Sequence, residues 1–323
     1  MWFVFALIAT LGWGCADLFY KKGTDADDRY SHLKIAVWVG LVMGVCACAL
    51  LPFAESGVSV RALAVNAVRY APASLCYILS MVIGYAGLRY LEISIISPVQ
   101  NASGALSTVA MCLYFLAVGR ISSVLEEYSA MDLVGTVLIV AGVILLAVVE
   151  QRLARAEAPL PKEERKYRFG ALALLFPLLY CVFDTIGTAA DGVILDEETG
   201  LGLGEIDVLV LYGLTFLLMG AAAWLFLLIK TRKVYNPFAK HERPKGVAAC
   251  AEEFGQFFYV YAMATRPLVA APMIASYCIV SVILSRIFLK EKLKASQYAC
   301  VAAVIIGIVL LGISEGLSEA GEA

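Results

Sequence analysis

Residues 131–149 read MDLVGTVLIVAGVILLAVV, and residues 151–168, directly after Glu150, read QRLARAEAPLPKEERKYR. The first run is apolar and long enough, at ~1.5 Å per residue, to cross the ~30 Å hydrocarbon core of a bilayer as a helix. The second is a charged, proline-punctuated linker. Working outward, four further apolar runs precede this junction: Trp2–Tyr20, Leu33–Phe53, Ala67–Leu88 and Ile93–Val118. Five follow it: Gly170–Ala190, Ile206–Ile229, Gly246–Ala264, Pro267–Leu289 and Ala295–Ile313. The linker therefore divides ten expected spans five and five. Five is odd, so a second copy of the same unit sits upside down relative to the first. The expected fold is an all-α integral membrane protein of ten transmembrane helices arranged as two inverted five-helix repeats. Residues 1–150 form the first repeat, 151–169 a polar loop, 170–314 the second repeat and 315–323 a short acidic tail.

Composition agrees with this reading and removes the alternatives. Of 323 residues, 61% are hydrophobic and 16% charged, against about 45–50% and about 25% in an ordinary globular protein. Disorder, coiled coil and a typical cytosolic enzyme are excluded. A net charge of -2 excludes a strongly basic nucleic-acid binder. His32 and His241 lie in polar connections, which removes most histidine-based metal and acid–base chemistry. The nine cysteines all fall within apolar runs at spacings that match neither a zinc site nor a disulfide framework, so they read as small packing residues. No metal and no cofactor is expected. Met1–Tyr20 has no Lys or Arg before its apolar stretch and reads as a retained first helix rather than a signal peptide.

The two halves share landmarks. Tyr85-Ala86, Pro98 and Gly142-Val143-Ile144-Leu145-Leu146 in the first half parallel Tyr261-Ala262, Pro272 and Gly307-Ile308-Val309-Leu310-Leu311 in the second. Cys15-Ala16-Asp17 similarly parallels Cys181-Val182-Phe183-Asp184. With Leu11-Gly12-Trp13-Gly14 early in the first helix, and Leu289-Lys290-Glu291-Lys292-Leu293 followed by Gln297, the chain resembles the EamA-type members of the drug/metabolite transporter superfamily. Gly119-Arg120-Ile121-Ser122-Ser123 departs from the pattern by lacking the usual Gly-Glu pair. The resemblance implies a ten-helix carrier of small metabolites or drugs, often an exporter, in the plasma membrane of a bacterium. It also implies cytoplasmic termini, as in many relatives.

Charge gives the opposite orientation. All of the 25 Lys and Arg residues except Arg61, Arg69, Arg120 and Arg266 fall on the connections after helices one, three, five, seven and nine or within a turn of them. Basic loops resist translocation, so that side is expected to be cytoplasmic and both termini outside. The acidic connection Asp191–Glu205, with its Gly200-Leu201-Gly202-Leu203-Gly204 tract, then also lies outside.

Ionisable groups within spans are costly and normally face a partner or a cavity. Asp17 and Asp184 are candidates, each preceded one turn earlier by an aromatic residue, Trp13 and Tyr180. Asp17 alternatively pairs with Lys21 one turn on. Glu252 and Glu253 lie inside the eighth span, where Glu252, Gln256 and Tyr259 follow the i, i+4, i+7 pattern of one helix face. The stripe reads as cavity lining, and the paired acids as candidate proton carriers; alternatively both sit at the headgroups. Helix four adds Asn101 with Ser97, Gly104 and Thr108, and helix nine adds Tyr277, Ser281 and Ser285. Pro98 and Pro272 are expected to kink their helices and free a backbone carbonyl. No Lys or Arg occupies the middle of a span, which disfavours anionic substrates and favours neutral, zwitterionic or cationic ones. No ATP-binding motif is present, so transport is expected to draw on an ion or substrate gradient. The expected partners are a small-molecule substrate, the lipid bilayer and protons; the sequence is compatible with a monomer. A lipid or polyprenyl-carrier flippase, or a membrane-embedded lipid-modifying enzyme, are the competing readings.

Overall fold

The computed structural model describes the chain except residues 26, 55–58, 92, 125–127, 157–174, 291–293 and 323. The helices are α1 (Trp2–Gly23), α2 (Ser31–Leu50), α3 (Val60–Gly87), α4 (Ile93–Asn101), α5 (Ser103–Val118), α6 (Ala130–Ala156), α7 (Leu175–Ile194), α8 (Glu205–Thr231), α9 (Arg243–Thr265), α10 (Pro267–Ala275), α11 (Tyr277–Leu284) and α12 (Ala295–Glu322). No strand occurs among the described residues. The fourth expected span is thus two helices interrupted at Ala102, and the ninth is two helices interrupted at Ser276. Each interruption lies one turn past the proline singled out in the sequence, Pro98 or Pro272. At Ser276 the ladder tightens to an i→i−3 bond, with the Ser276 amide donating to Met273 O at 3.1 Å.

Nine stretches of the described residues are long and apolar enough to cross a membrane. Of the ten expected, the one missing from that set is the eighth, which is α9. Its 23 residues carry Glu252, Glu253 and Gln256, which lower its apolarity; its polar face is covered by other helices instead of lipid. The rest of the molecule is built in the same inside-out manner. Leu113, Leu218 and Ile229 face outward, whereas Ser80, Gln100, Asn101 and Ser107 are buried. A surface of exposed aliphatic side chains around a polar interior suits hydrocarbon as solvent and not water.

Pairing between the two halves organises the bundle. α1 packs on α9, α2 on α8, α3 on α7, α4–α5 on α10–α11, and α6 on α12. Glycines set the closest approach. A Cβ added to Gly40 would lie 2.5 Å from Phe216 O and 2.7 Å from Gly220 Cα, so the sequence of small residues lets α2 and α8 meet backbone to backbone. Connections segregate by face. On one face Lys34 pairs with Asp28 at 2.8 Å and reaches Glu242 at 3.7 Å, and Lys245 also binds Glu242. On the other, Arg120 pairs with Asp196 at 3.3 Å and Arg266 with Asp132 at 3.1 Å. These are the basic and acidic faces read from the sequence.

Boundaries differ from expectation in four places. α3 begins at Val60 rather than Ala67 and keeps Arg61 and Arg69 on its exposed side. α6 continues through Ala156; residues 157–169 of the expected linker, and Glu291, Lys292 and Leu293 of the basic motif, lie outside the described residues. α12 carries the expected acidic tail as helix through Glu322. α7 extends to Ile194 and therefore takes in Asp191, which had been assigned to an outside loop. Packing, not local polarity, decides that helix end, because Asp191 is covered by neighbouring helices.

Candidate substrate cavity

The helix faces predicted to be polar converge on one cavity holding about 840 Å³ of space, including solvent at its mouth. α1 contributes Trp13, Asp17 and Tyr20, at i, i+4, i+7; α9 contributes Glu252, Gln256 and Tyr259 with the same spacing. α7 adds Tyr180, Asp184 and Thr188, and α3 adds Tyr77, Gly84 and Tyr85. Gln100, Asn101, Ser103 and Gly104 come from the interrupted α4–α5 span, Tyr277 from α11 and Tyr212 from α8. Gly84 is required here: a Cβ would come within 2.7 Å of the Tyr180 ring and 2.8 Å of Gln100 Nε2.

Three carboxyl groups define the polar wall, and each is held by hydroxyl donors. Asp17 Oδ2 accepts from Ser97 and from Ser281, both at 2.7 Å, and so ties α1 to α4 and α11. Asp184 Oδ2 accepts from Ser103 at 2.6 Å. Glu252 Oε2 accepts from Tyr20 and, at 3.1 Å, from Tyr85. No Lys, Arg or His is among the described residues that line the cavity. Hydroxyl donors offset part of the desolvation of a carboxylate but none of its charge. No basic side chain of the described lining faces these carboxyls, and the wall also presents aromatic faces. Seven tyrosines and Trp13 line it; the Trp13 and Tyr259 rings lie 5.1 Å apart and Trp13 and Tyr277 5.6 Å apart. Aromatic faces beside carboxylates attract ammonium groups through the ring quadrupole.

The cavity is not symmetric along the membrane normal. Tyr20 and Leu88 mark its end nearer the basic face, where Lys21 donates to Leu88 O at 2.8 Å and Leu91 O at 2.7 Å. Farther from the basic face the lining includes Tyr77 and Tyr259, whose hydroxyls are 2.7 Å apart; Tyr77 also donates to Thr188 at 3.3 Å.

Most residues nominated from the sequence meet here: Trp13, Asp17, Asn101, Tyr180, Asp184, Glu252, Gln256 and Tyr259 all line the cavity. Glu253 does not. Its position is rotated ~100° from Glu252, which takes it off the cavity wall and toward Cys46 of α2. Pro98 and Pro272 are also absent from the wall and act on the helix path behind it. Thr108 bonds Gly104 O at 2.9 Å and Leu268 O at 3.4 Å, a helix-bridging role. The sequence alone assigns no site role to Tyr20, Tyr77, Tyr85 or Tyr212, although Tyr85 is a repeat landmark and Tyr77 and Tyr85 sit about two turns apart on one side of α3. Ser103 and Asp191 were likewise missed.

Comparison with known proteins agrees with the motifs. Residues 199–313, within the C-terminal half, match the model of the EamA-like transporter family. No curated protein matches the chain. A solved structure titled only "Crystal structure of protein" is similar at a TM-score of 0.58 and 12% identity, covering 99% of this chain and 98% of that one. At that identity the likeness concerns the fold, and it extends over both halves.

Proposed function

We propose that the protein is a secondary carrier for a small organic cation or zwitterion bearing an aromatic or aliphatic body, working by alternating access between two inverted five-helix halves. The observation that carries the reading is the convergence of Asp17, Asp184 and Glu252 on an aromatic cavity with no Lys, Arg or His among its described lining residues. The cross-half pairing supports the inverted arrangement. Exchanging each span for its counterpart five positions on turns α1–α9 into α7–α3 and maps the other three pairings onto themselves. A two-fold relation between halves generates this pattern, with the site at their interface. The basic face is the cytoplasmic one in this proposal and both termini are outside. The cavity end near Tyr20 and Leu88 then faces inward, as export requires for loading.

Uptake of labelled tyramine, an aromatic amine, into proteoliposomes tests the reading. Wild type accumulates tyramine under an imposed pH gradient, whereas Asp184→Asn and Glu252→Gln lose transport while keeping the wild-type melting profile. Wild-type rates in both variants remove the cavity from the mechanism. A C-terminal fusion to a reporter that works only in the cytoplasm remains silent; activity from it overturns the orientation.

A further inference from the structure

Beyond the Tyr77–Tyr259 hydrogen bond lies a carboxyl group that does not line the cavity. Asp191 is 0% exposed, and neither of its carboxyl oxygens has a hydrogen-bond partner. The Tyr70 hydroxyl is also buried without one. Yet Asp191 faces the hydroxyls of Tyr70 and Tyr77 from α3 and of Tyr259 from α9. Tyr212 of α8 is the remaining titratable neighbour across the packing, and Asp184 is the nearest acid on its own helix. From α5 and α10, Met111 and Pro267 approach the adjacent Gly192. The cluster is thus one acid and four phenols.

We propose that Asp191, caged by Tyr70, Tyr77 and Tyr259, is a proton-binding site separate from the substrate cavity, and that loss of its proton breaks the Tyr77–Tyr259 hydrogen bond at the cavity wall. The size of the site selects the ligand. Asp191 does not line the cavity, and its enclosure leaves no room for an organic cation. The hydrogen bonding selects the state. An ionised carboxylate buried with no cation beside it and its hydrogen bonds unmade is among the most unfavourable arrangements in a protein, whereas a neutral carboxyl costs far less. The arrangement with Tyr77 bonded to Tyr259 at 2.7 Å is accordingly the proton-loaded one. When the Asp191 O–H bond breaks and the proton passes to water, the group becomes acceptor-only with about four lone-pair sites. It then competes for the phenol protons of Tyr77 and Tyr259, which bond each other while Asp191 is neutral. Drawing either one away breaks the Tyr77–Tyr259 hydrogen bond. Uptake of a proton from water reverses the step, and no other reactant is needed.

Leu195, whose amide donates to Asp191 O at 2.9 Å, lines a second pocket on the acidic face, with Asp196, Glu197, Glu198 and Glu205 around it. Toward the cavity, Thr188 and Asp184 follow on the same face of α7 one and two turns back. Along α7 the proton site therefore stands between residues lining the acidic-face pocket and residues of the substrate wall.

Asp191→Asn keeps the shape and removes the titrating group. Infrared difference spectra of the purified protein between acid and alkaline pH are expected to show a neutral-carboxyl C=O band in wild type that Asp191→Asn lacks. In proteoliposomes the ratio of pH-gradient-driven to exchange flux of tyramine falls at least tenfold in that variant. Tyr70→Phe retains the band but moves the pH at which it disappears, because the anion has lost a donor. Identical wild-type and Asp191→Asn spectra overturn the assignment, as does an unchanged flux ratio or accumulation driven by a sodium gradient instead of a proton gradient. If Asp191→Asn does not fold, an unchanged titration in Tyr70→Phe overturns it equally. The transport arm rests on the carrier reading and the infrared arm does not. Failure of wild type to move any amine therefore defeats the carrier reading alone, leaving the spectra to judge Asp191.

Discussion

α1 and α7 begin alike and end differently. Each presents an aromatic residue, Trp13 or Tyr180, and one turn later an aspartate on the cavity wall. Asp17 is held from two sides, by Ser97 of α4 and Ser281 of α11. Asp184 is held by Ser103 at the start of α5. The helices then diverge. α1 runs on to Lys21, which donates to the carbonyls ending α3 on the basic face. α7 runs on to Asp191, enclosed and unpartnered. On the proposed reading the same local pattern serves two purposes: an acid satisfied by hydroxyl donors is a fixed element of a wall, and an acid whose neighbouring hydroxyls are not bonded to it is one whose charge state changes its surroundings. The largest effects expected on this comparison come from the shared part. Truncating one partner of a buried charge pair costs about 2–5 kcal/mol. Asp17→Ala and Asp184→Ala are therefore each expected to weaken tyramine binding by roughly two orders of magnitude, read by calorimetry on detergent-purified protein. Loss in only one of them would show that the matching pattern does not carry matching roles.

Packing distinguishes the two helices by a smaller amount. A Cβ on Gly14 of α1 would lie 2.5 Å from the Val280 side chain, with Tyr277 O at 3.2 Å. On Gly187 of α7 it would meet the Tyr77 ring no closer than 3.1 Å. The first overlap involves a β-branched side chain with little freedom, since χ1 is fixed; the second involves the flank of an aromatic ring that can shift. Overpacking of a tight contact costs about 1–3 kcal/mol, so Gly14→Ala should lower the melting temperature clearly. Gly187→Ala should change it little, helped by the better helix propensity of alanine. Equal losses would show α7 to be as tightly seated as α1.

The contrast also explains which features were legible. Trp13, Asp17, Tyr180 and Asp184 announced themselves because an acid inside an apolar run is conspicuous and helical spacing is a fixed geometry. Glu252, Gln256 and Tyr259 did so for the same reason. Asp191 was hidden by its context: it sits where a polar connection begins in the sequence, and only the tyrosines of α3 and α9 turn that position into helix interior. Those partners lie far away along the chain, and no local spacing encodes them. Tyr20, Tyr77, Tyr85 and Tyr212 were equally silent, since a tyrosine in a span is as often an interface anchor as a lining residue. Glu253 erred in the opposite direction. Its neighbour earned the attention, and one step along a helix was enough to turn it away from the site.

The smallest difference lies in the loops that follow the two helices. After α7, Asp196 binds Arg120 at 3.3 Å and also accepts from the Glu198 and Thr199 amides, at 3.2 and 2.8 Å, so much of its capacity goes to its own turn. After α1, Asp28 accepts from the Tyr30 amide at 2.9 Å and pairs with Lys34 at 2.8 Å, and Lys34 reaches on to Glu242 before α9. The second arrangement couples separate elements across the basic face. Burial alone would raise the Asp28 pKa, but Lys34 and the Tyr30 amide outweigh it and hold the group below its usual 3.8. A depressed carboxylate contributes its stability above the unfolded value and loses it as pH falls through the folded one. The melting temperature of wild type should therefore exceed that of Asp28→Asn at pH 7, with the gap closing below about pH 4. A solvent-reachable pair is worth under about 1 kcal/mol, so the gap is small, and raising the salt concentration should shrink it further. A gap that persists at pH 2 would place the role of Asp28 in its turn geometry, which asparagine shares only in part, and not in its charge.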